Sequence, residues 1–338
     1  MLAYLVRRLI LAGLTMWAVS VLSFVVIQLP PGDYITSYIA QMSSSGSFVS
    51  EQEANALRQQ YGLDQPQYIQ YIRWMKMVVH GNFGMALEYG RPVSEVIGDR
   101  IYLTMVVSVA AIIFTWCAAL PIGVYSAVRQ YSFGDYVATF IGFIGLAIPS
   151  FMLALILMYF GFTLFNANIG GLFSEEFAEA SWSLAKLWDL TKHLPLPAVI
   201  LGLAGTAQLV RIMRANLLDE LGKPYVVTAR ARGLSEARLI IKYPVRVALN
   251  PFASTIGYLL PYVVSGSIIV SLVLSLPTVG PLLLKSLVAQ DMFLAGTIVL
   301  LLGVMTVIGT FVSDLLLMWI DPRIRFEGKR RARWRAAR

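Results

Sequence analysis

Apolar residues occur along this chain in long uncharged blocks rather than at the spacing of half-buried helices or strands. A helix needs about 20 apolar residues to cross the roughly 30 Å hydrocarbon core of a bilayer. Six blocks approach or exceed that length, namely residues 9–29, 101–125, 137–165, 194–210, 247–275 and 292–320. The pattern predicts an all-α integral membrane protein with six transmembrane helices.

Three of these blocks carry local signals of their own. Residues 9–29 follow two arginines, as in a signal peptide, but the apolar part is too long and no small-residue cleavage site closes it. We therefore expect this block to remain as the first span. Pro149, in the middle of the third block, predicts a kink. No charge occurs from residue 247 to 284, which is too long for one helix, so we expect a turn at residues 276–281.

Composition and charge agree with a membrane setting. Of the 338 residues, 57% are hydrophobic and 14% charged, whereas soluble domains carry about 25% charged residues. Most of the 27 Lys and Arg residues fall at the amino end, in residues 126–136 and 211–250, and after residue 320. Because cytoplasmic loops collect Lys and Arg, both termini are predicted to be cytoplasmic and residues 30–100 to form an extracytoplasmic cap. The same distribution favours membrane lipid over nucleic acid as a partner.

Two segments on the predicted outer side contain further elements. Ser50 and Glu53 fit a capping box, which predicts a helix over residues 50–60. Residues 170–193 interleave Trp182 and Trp188 with acidic residues. This composition indicates either an amphipathic segment at the membrane interface or an aromatic belt without a further role.

Motifs for catalysis or metal binding are scarce. There is no Walker A loop, since Gly222-Lys223-Pro224 lacks the upstream glycine and the hydroxyl residue, and no G-x-S-x-G elbow. His80 and His193 stand far apart in the sequence, and the single cysteine, Cys117, permits no intrachain disulfide. Asp314 is the one ionisable residue within the six blocks, and its place near the end of the last block favours a structural role. We expect this chain to have no catalytic residue and to bind no metal or cofactor.

Residues 211–250 are more numerous than a connection between two spans needs. Pro224 suits the first turn of a helix that continues to Arg232, Gly233 suits its C-terminal stop, and a second helix can begin at Ser235. Basic residues decorate this stretch, namely Arg230, Arg232, Arg238, Lys242 and Arg246. Contact with anionic headgroups would explain their charge, but it would explain neither the length nor the sequence T-A-R-A-R-G-L-S-E.

This stretch resembles the loop signature of a known family. The string Thr228-Ala229-Arg230-Ala231-Arg232-Gly233-Leu234-Ser235, with Tyr225 before it and Pro251 after it, is similar to that of the permease subunits of bacterial ABC importers of the dipeptide, oligopeptide and nickel class. Further agreement is found in M-L-x-Y-L-x-R-R-L at residues 1–9, Y-G-L-D-Q-P at 61–66, G-N-F-G at 81–84 and D-P-R-I-R at 321–325. The resemblance extends over residues 1–326, and residues 327–338 form a basic tail.

The resemblance implies a type I ABC importer permease fold, with residues 1–29 as the first transmembrane helix and a five-helix core at residues 101–326. It implies a bacterial inner-membrane protein that pairs with a second, related permease and docks onto one or two ATPase subunits. Those subunits would use the ATP and Mg, and an extracytoplasmic binding protein would deliver the substrate. The residues implied in coupling to the ATPase are Tyr225, Thr228, Ala229, Arg230, Ala231, Arg232, Gly233, Leu234, Ser235 and Glu236.

Individual positions within this resemblance carry separate expectations. Thr228, Ala229, Ala231 and Gly233 would make the close-packed part of the coupling element, while Arg230 and Arg232 could pair either with acids on the ATPase or with headgroups. Three residues depart from the family's pattern. Val227 stands where related permeases often have glutamate, Pro244 stands where alanine is expected, and Thr278 replaces a glycine in Pro277-Thr278-Val279-Gly280.

Irregular backbone rich in Gly and Pro is tolerated at membrane depth only when it is buried or lines a cavity. This rule points to Pro149, Gly257, Tyr258, Tyr262, Ser265 and Gly266 as candidates for the translocation path, although ordinary helix packing through small residues is the alternative. The family takes peptides, metal complexes, opines or oligosaccharides, and the sequence does not choose among them.

Two rival functions stay open at this point. One is a secondary carrier or channel that works alone. The other is a membrane-embedded enzyme, which would need clustered acid and base groups. The acidic cluster of Glu175, Glu176 and Glu179 has no base near it in the sequence.

Overall fold

The computed structural model describes residues 2–44, 50–165 and 170–320, and these residues are mainly helical. In chain order the elements are α1 (Leu2–Gln28), α2 (Tyr34–Ser44), α3 (Glu51–Tyr61), α4 (Gln67–Val79), β1 (Met85–Ala86), β2 (Arg91–Pro92), α5 (Val93–Val128), α6 (Phe133–Ala147), α7 (Ser150–Phe165), α8 (Glu175–Ala178), α9 (Leu184–His193), α10 (Pro195–Leu221), α11 (Pro224–Ala231), α12 (Glu236–Lys242), α13 (Pro244–Ser254), α14 (Ile256–Val273), α15 (Val279–Val288) and α16 (Met292–Ile320). The two strands pair antiparallel, with Met85 opposite Pro92. The predicted string at 321–325 and the basic tail lie outside the described residues.

Four of the described helices are long and apolar enough to cross a membrane. The spans within them are Arg8–Gln28, Val93–Val128, Pro195–Leu221 and Met292–Leu317. A fifth span is formed if α6 and α7 are taken together, although these two helices meet at 103°. The structure therefore supports four to five apolar membrane-capable helices.

The predicted kink at Pro149 is confirmed, and it is a complete break between two helices. α6 ends at Ala147, and Ile148 is extended with φ −89° and ψ 120°. The residue before a proline avoids the α conformation because the proline ring clashes with its backbone. α7 then begins at Ser150.

The prediction of one continuous helix over residues 247–275 was wrong. The structure has α13 and α14 there, separated at Thr255. The Thr255 N–H and hydroxyl both donate to the carbonyl of Phe252, at 3.1 and 2.6 Å. This tight turn replaces the regular hydrogen bond to the residue four positions back. The turn predicted at 276–281 is shorter than expected, because α15 already begins at Val279.

The cytoplasmic stretch predicted at 211–250 begins later than expected. α10 continues to Leu221, so residues 211–221 are helix rather than loop. Leu209, Met213 and Leu217 are fully buried at a spacing of four residues, and this spacing places them on one face of a helix. Because that face is packed, the helix continues past the last uncharged residue.

The described chain divides into two compact units. Within the described ranges, unit 1 contains residues up to 104 and residues 277–304, and unit 2 contains residues 105–276 and 305–320. In unit 1, Trp74 is buried and its ring lies 6.3 Å from those of Phe24 and Tyr71. The predicted capping box is confirmed there, since the Glu53 N–H donates to Ser50 Oγ and the Ser50 N–H to the Glu53 carboxylate.

The start of α16 is also held inside unit 1. Asp291 is fully buried, and its carboxylate accepts hydrogen bonds from the N–H groups of Leu87 at 2.6 Å and Leu294 at 3.1 Å. The first bond ties the turn after β1 to this carboxylate, and the second caps the first turn of α16. The predicted sixth helix, residues 292–320, is confirmed with the same bounds.

Candidate functional site

The helix pair predicted around Gly233 is confirmed. Pro224 is the first residue of α11, where its missing N–H costs nothing. Gly233 has φ +79° and ends this helix in a left-handed conformation, which glycine adopts without strain. Ser235 is extended and precedes α12, and α12 ends before Pro244. The result is a helix, a glycine turn and a second short helix, which we call the coupling hairpin (residues 224–242).

One side of the coupling hairpin is anchored in the core of unit 2. Val226 and Ala229 of α11 and Leu239 and Ile240 of α12 are buried in one apolar cluster. The same cluster contains Met213 and Leu217 of α10. α12 packs on α13, and α13 in turn packs on α10, so the hairpin is joined to the core of unit 2.

The other side of the hairpin is open to solvent. Of the four small residues that the resemblance groups together, Ala229 faces the core, whereas Thr228, Ala231 and Gly233 are exposed. Val227, at the position of the family's usual glutamate, is 57% exposed. The exposed residues of the predicted coupling set are Tyr225, Thr228, Arg230, Ala231, Arg232, Gly233, Ser235 and Glu236, and Leu234 is half-buried.

The charged residues of the hairpin are partly engaged within the chain. Arg230 donates from Nε to Glu236 Oε1 at 2.5 Å and from Nη2 to Oε2 at 3.1 Å. These hydrogen bonds lower the pKa of the Glu236 carboxyl. Arg230 was predicted to pair with acids on another chain or with headgroups, but in the structure it pairs with Glu236 across the turn. Arg232 is exposed. A separation of six residues across a turn has no periodic signature, which is why the pair was missed.

Tyr225 is fixed at the start of the hairpin. Its hydroxyl donates to Glu220 Oε2 at 2.6 Å, across the turn that follows α10. Burial and the neighbouring Glu220 carboxylate raise the pKa of Tyr225, so the phenol stays protonated. The bond links the end of α10 to the first turn of α11.

A second ion pair, which no sequence pattern predicted, connects α6 to α10. Arg214 Nη2 lies 3.0 Å from Asp135 Oδ2, and the side chain of Asp135 is only 4% exposed. The Tyr131 N–H also donates to Asp135 at 3.0 Å. Both residues were assigned to loops from the sequence, and only the longer α10 brings them together.

The path candidates fall on α14 and at the break between α6 and α7. Tyr262 and Gly266 line a cavity of about 90 Å³ together with Ser150, Leu201 and Ala204. Pro149 immediately precedes Ser150 at the break between α6 and α7. Gly257, Tyr258 and Ser265 belong to α14, but their side chains lie outside the described residues.

The two histidines have local partners in their own units. His80 Nδ1 lies 2.7 Å from the carbonyl oxygen of Lys76, and His193 Nδ1 lies 2.9 Å from that of Asp189. Among the residues that the structure describes, no three His, Cys, Asp or Glu side chains are grouped so as to hold a metal ion.

Comparison with known proteins identifies the family. The family described as Binding-protein-dependent transport system inner membrane component matches residues 119–326, and the model of its N-terminal region matches residues 1–110. The chain belongs to this family. It is therefore an inner-membrane permease subunit of a binding-protein-dependent ABC importer, it is not itself catalytic, and it works with an ATPase and a substrate-binding protein.

Three relatives of this permease are named as permease proteins of oligopeptide, dipeptide and glutathione transport systems. It is 34% identical over 327 residues to the oligopeptide transport system permease protein AppB of Bacillus subtilis, covering 96% of this chain and 100% of the relative. It is 30% identical over 341 residues to the dipeptide transport system permease protein DppB of Escherichia coli, covering 96% and 99%. It is 30% identical to the glutathione transport system permease protein GsiC of Salmonella typhi, covering 97% and 100%.

Proposed function

We propose that this permease forms half of a translocation path for peptides, together with a second, related permease. The relatives named above are oligopeptide, dipeptide and glutathione permeases, which supports a short peptide as cargo. The proposed path runs past Pro149, Tyr262 and Gly266. The cavity that Tyr262 and Gly266 share with α7 and α10 supports this placement.

We further propose six spans with both termini in the cytoplasm. Length and composition identify four to five spans. α13 and α14 together would provide the sixth. The concentration of Lys and Arg in alternate loops supports the orientation. In this arrangement residues 30–100 form a cap on the outer side, where a binding protein would deliver its substrate.

The coupling hairpin is the proposed contact with the ATPase. ATP and Mg would be bound by that partner and not by this chain. The observation that carries the proposal is the two-sided character of the hairpin, which is anchored in the core of unit 2 by Val226, Ala229, Leu239 and Ile240 and is open on its other face. A ligand can shift a conformational equilibrium only through differential affinity for the two states. Closure of the ATPase subunits on the open face would supply that difference.

The test is affinity purification of the tagged chain from membranes, with mass spectrometry of the co-purifying proteins and an assay of ATP hydrolysis. We expect a second permease and one or two ATPase subunits. Gly233→Pro should abolish transport-coupled ATP hydrolysis, because proline cannot adopt φ +79°. Gly222→Ala is the matched control, since Gly222 has φ −80° and a methyl group there meets no atom closer than 3.9 Å.

Recovery of the chain alone, under conditions that preserve a known ABC complex, would contradict the proposal. It would favour the secondary carrier instead. Normal coupled hydrolysis by Gly233→Pro would contradict the role of the hairpin while leaving the rest of the assembly in place.

A further inference from the structure

Helix α9 presents an uncovered apolar face directly before a membrane-spanning helix. Leu184 is 86% exposed, Trp188 65% and Leu187 40%. These three residues share one side of the helix at about 100° per residue. The opposite side, which contains Lys186, Asp189 and Leu190, is buried. Leu184, Leu187 and Trp188 therefore point away from the protein, whereas Leu190 is buried against it.

The buried side of α9 fixes the direction of the exposed side. Lys186 Nζ donates to the carbonyl of Ala180 at 2.6 Å and lies 4.8 Å from the centre of the Phe173 ring. Asp189 accepts hydrogen bonds from the N–H and the hydroxyl of Ser174, at 2.7 and 2.8 Å. Rotation of α9 to bury Trp188 would break these bonds and leave two buried charges without partners.

The position of α9 follows from the helix that continues it. α9 ends at His193 and α10 begins at Pro195. The main-chain hydrogen bonds continue across the junction, since the Leu194 N–H donates to Leu190 at 2.9 Å and the Ala198 N–H donates to Leu194 at 3.1 Å. The apolar face of α9 is thus about two to three turns from the start of the span.

α10 as a whole is long enough to cross a bilayer, but its uncharged part is shorter than the hydrocarbon core. The uncharged part extends from Pro195 to the residue before Arg211, which at 1.5 Å per residue is about 24 Å. The hydrocarbon core is about 30 Å thick. If Arg211 marks one boundary of the hydrocarbon core, the other boundary falls about four residues before Pro195, close to the end of α9.

We infer that α9 lies in the membrane interface at the amino-terminal end of α10, with Leu184, Leu187 and Trp188 in contact with lipid. Trp is enriched at this depth because its ring is apolar and its N–H is polar. Lys192 Nζ lies 6.0 Å from the centre of the Trp188 ring, where its ammonium group can reach the headgroups. Lipid fits better than a protein partner because a boundary close to the end of α9 places this apolar face at the membrane interface. The inference does not depend on the coupling role of residues 224–242.

The experiment measures collision rates of spin labels in the purified transporter, reconstituted in nanodiscs of phosphatidylethanolamine and phosphatidylglycerol. Cys117→Ala gives a background without native cysteine, since Cys117 is the single cysteine. Labels are placed at Trp188→Cys and, in case that variant folds poorly, at Leu184→Cys. The references are Ile113→Cys, exposed on the spanning helix α5, and Glu176→Cys, exposed on α8.

The two collision partners separate lipid from water, because O₂ concentrates in the bilayer and a nickel chelate stays in water. We expect the O₂-to-nickel ratio at residues 188 and 184 to be close to that at 113 and several-fold above that at 176. A ratio equal to that at 176 would show a solvated face and overturn the inference. Low collision rates with both reagents would show a face covered by protein and overturn it as well.

Discussion

The guanidinium of Arg230 and the carboxylate of Glu236 form a two-point ion pair across the Gly233 turn, with N–O distances of 2.5 and 3.1 Å. The pair joins the last turn of α11 to the first turn of α12. Both side chains are exposed, at 52% and 57%, so the pair contributes little to global stability. Its position instead suits it to hold the two short helices at a fixed angle.

Breaking this pair should therefore weaken the coupling between substrate and ATP hydrolysis without unfolding the protein. Glu236→Ala and Arg230→Ala are each expected to lower substrate-stimulated ATP hydrolysis several-fold, with the thermal midpoint unchanged. The charge reversal R230E with E236R should restore part of the activity. Arg238→Ala, which removes another exposed charge of α12, is the control. Equal loss from R230A and from R238A would indicate a general charge effect instead.

Gly202 should not tolerate a methyl group. A Cβ at this position of α10 would lie 2.7 Å from Phe114 Cδ1 and 2.9 Å from the Ala111 carbonyl oxygen of α5. Overpacking of this kind costs about 1–3 kcal/mol, so Gly202→Ala should lower the thermal midpoint of the purified protein. Gly142→Ala is the matched control, because its Cβ would meet Ala207 at an ordinary 3.5 Å. A midpoint for G202A at or above that of G142A would contradict the close approach.

The Asp135–Arg214 pair should show the behaviour of a buried ion pair. Asp135→Ala leaves the Arg214 charge without its partner in a largely buried site, and such a loss costs about 3 kcal/mol. Replacement of both residues, as D135L with R214M, should recover most of the stability because no charge is left behind. Chemical unfolding in detergent measures both effects. A double variant no more stable than D135A would refute this account.

Asp291 should make the stability of the protein depend on pH. Burial raises the pKa of Asp291 to about 6 from its usual 3.8, against the opposing effect of its hydrogen bonds from Leu294, Glu88 and Leu87. Because the folded state then binds the proton more tightly than the unfolded state, this contribution is full below about pH 4 and is lost as the pH rises through about 6. The loss amounts to about 2–3 kcal/mol.

Comparison with Asp291→Asn isolates this contribution from other titrating groups. The thermal midpoint of the native protein should rise, relative to that of the variant, when the pH is lowered from 7 to 5. The Asn side chain does not titrate, so its own profile lacks this component. Parallel profiles of the two proteins would show that the Asp291 carboxyl has an ordinary pKa.

The sequence was sufficient for those elements whose signals are local. Pro224, Gly233 and Ser235 predicted the coupling hairpin because a proline start, a glycine stop and a capping position depend only on neighbouring residues. The break at Pro149 was predicted for the same reason. The first and last apolar blocks correspond to α1 and α16.

The predictions from the sequence were wrong or missing where tertiary packing determines the structure. The end of α10 was placed too early, because Arg211 and Arg214 suggested a loop while the buried Met213 and Leu217 keep the helix going. The Asp135–Arg214 and Arg230–Glu236 pairs depend on where separate helices meet, and no spacing in the sequence encodes that. The burial of Asp291 was not predicted, because a single acidic residue before an apolar block is also typical of an exposed helix N-cap.

The most direct test of the account is an uptake assay with the transporter reconstituted in lipid vesicles whose internal solution is controlled. A radiolabelled short peptide and the binding protein are added outside. We predict that uptake requires ATP inside and binding protein outside, and that Gly233→Pro abolishes it while Gly222→Ala does not. Uptake by the chain alone, driven by an ion gradient without ATP or ATPase subunits, would contradict the central claim.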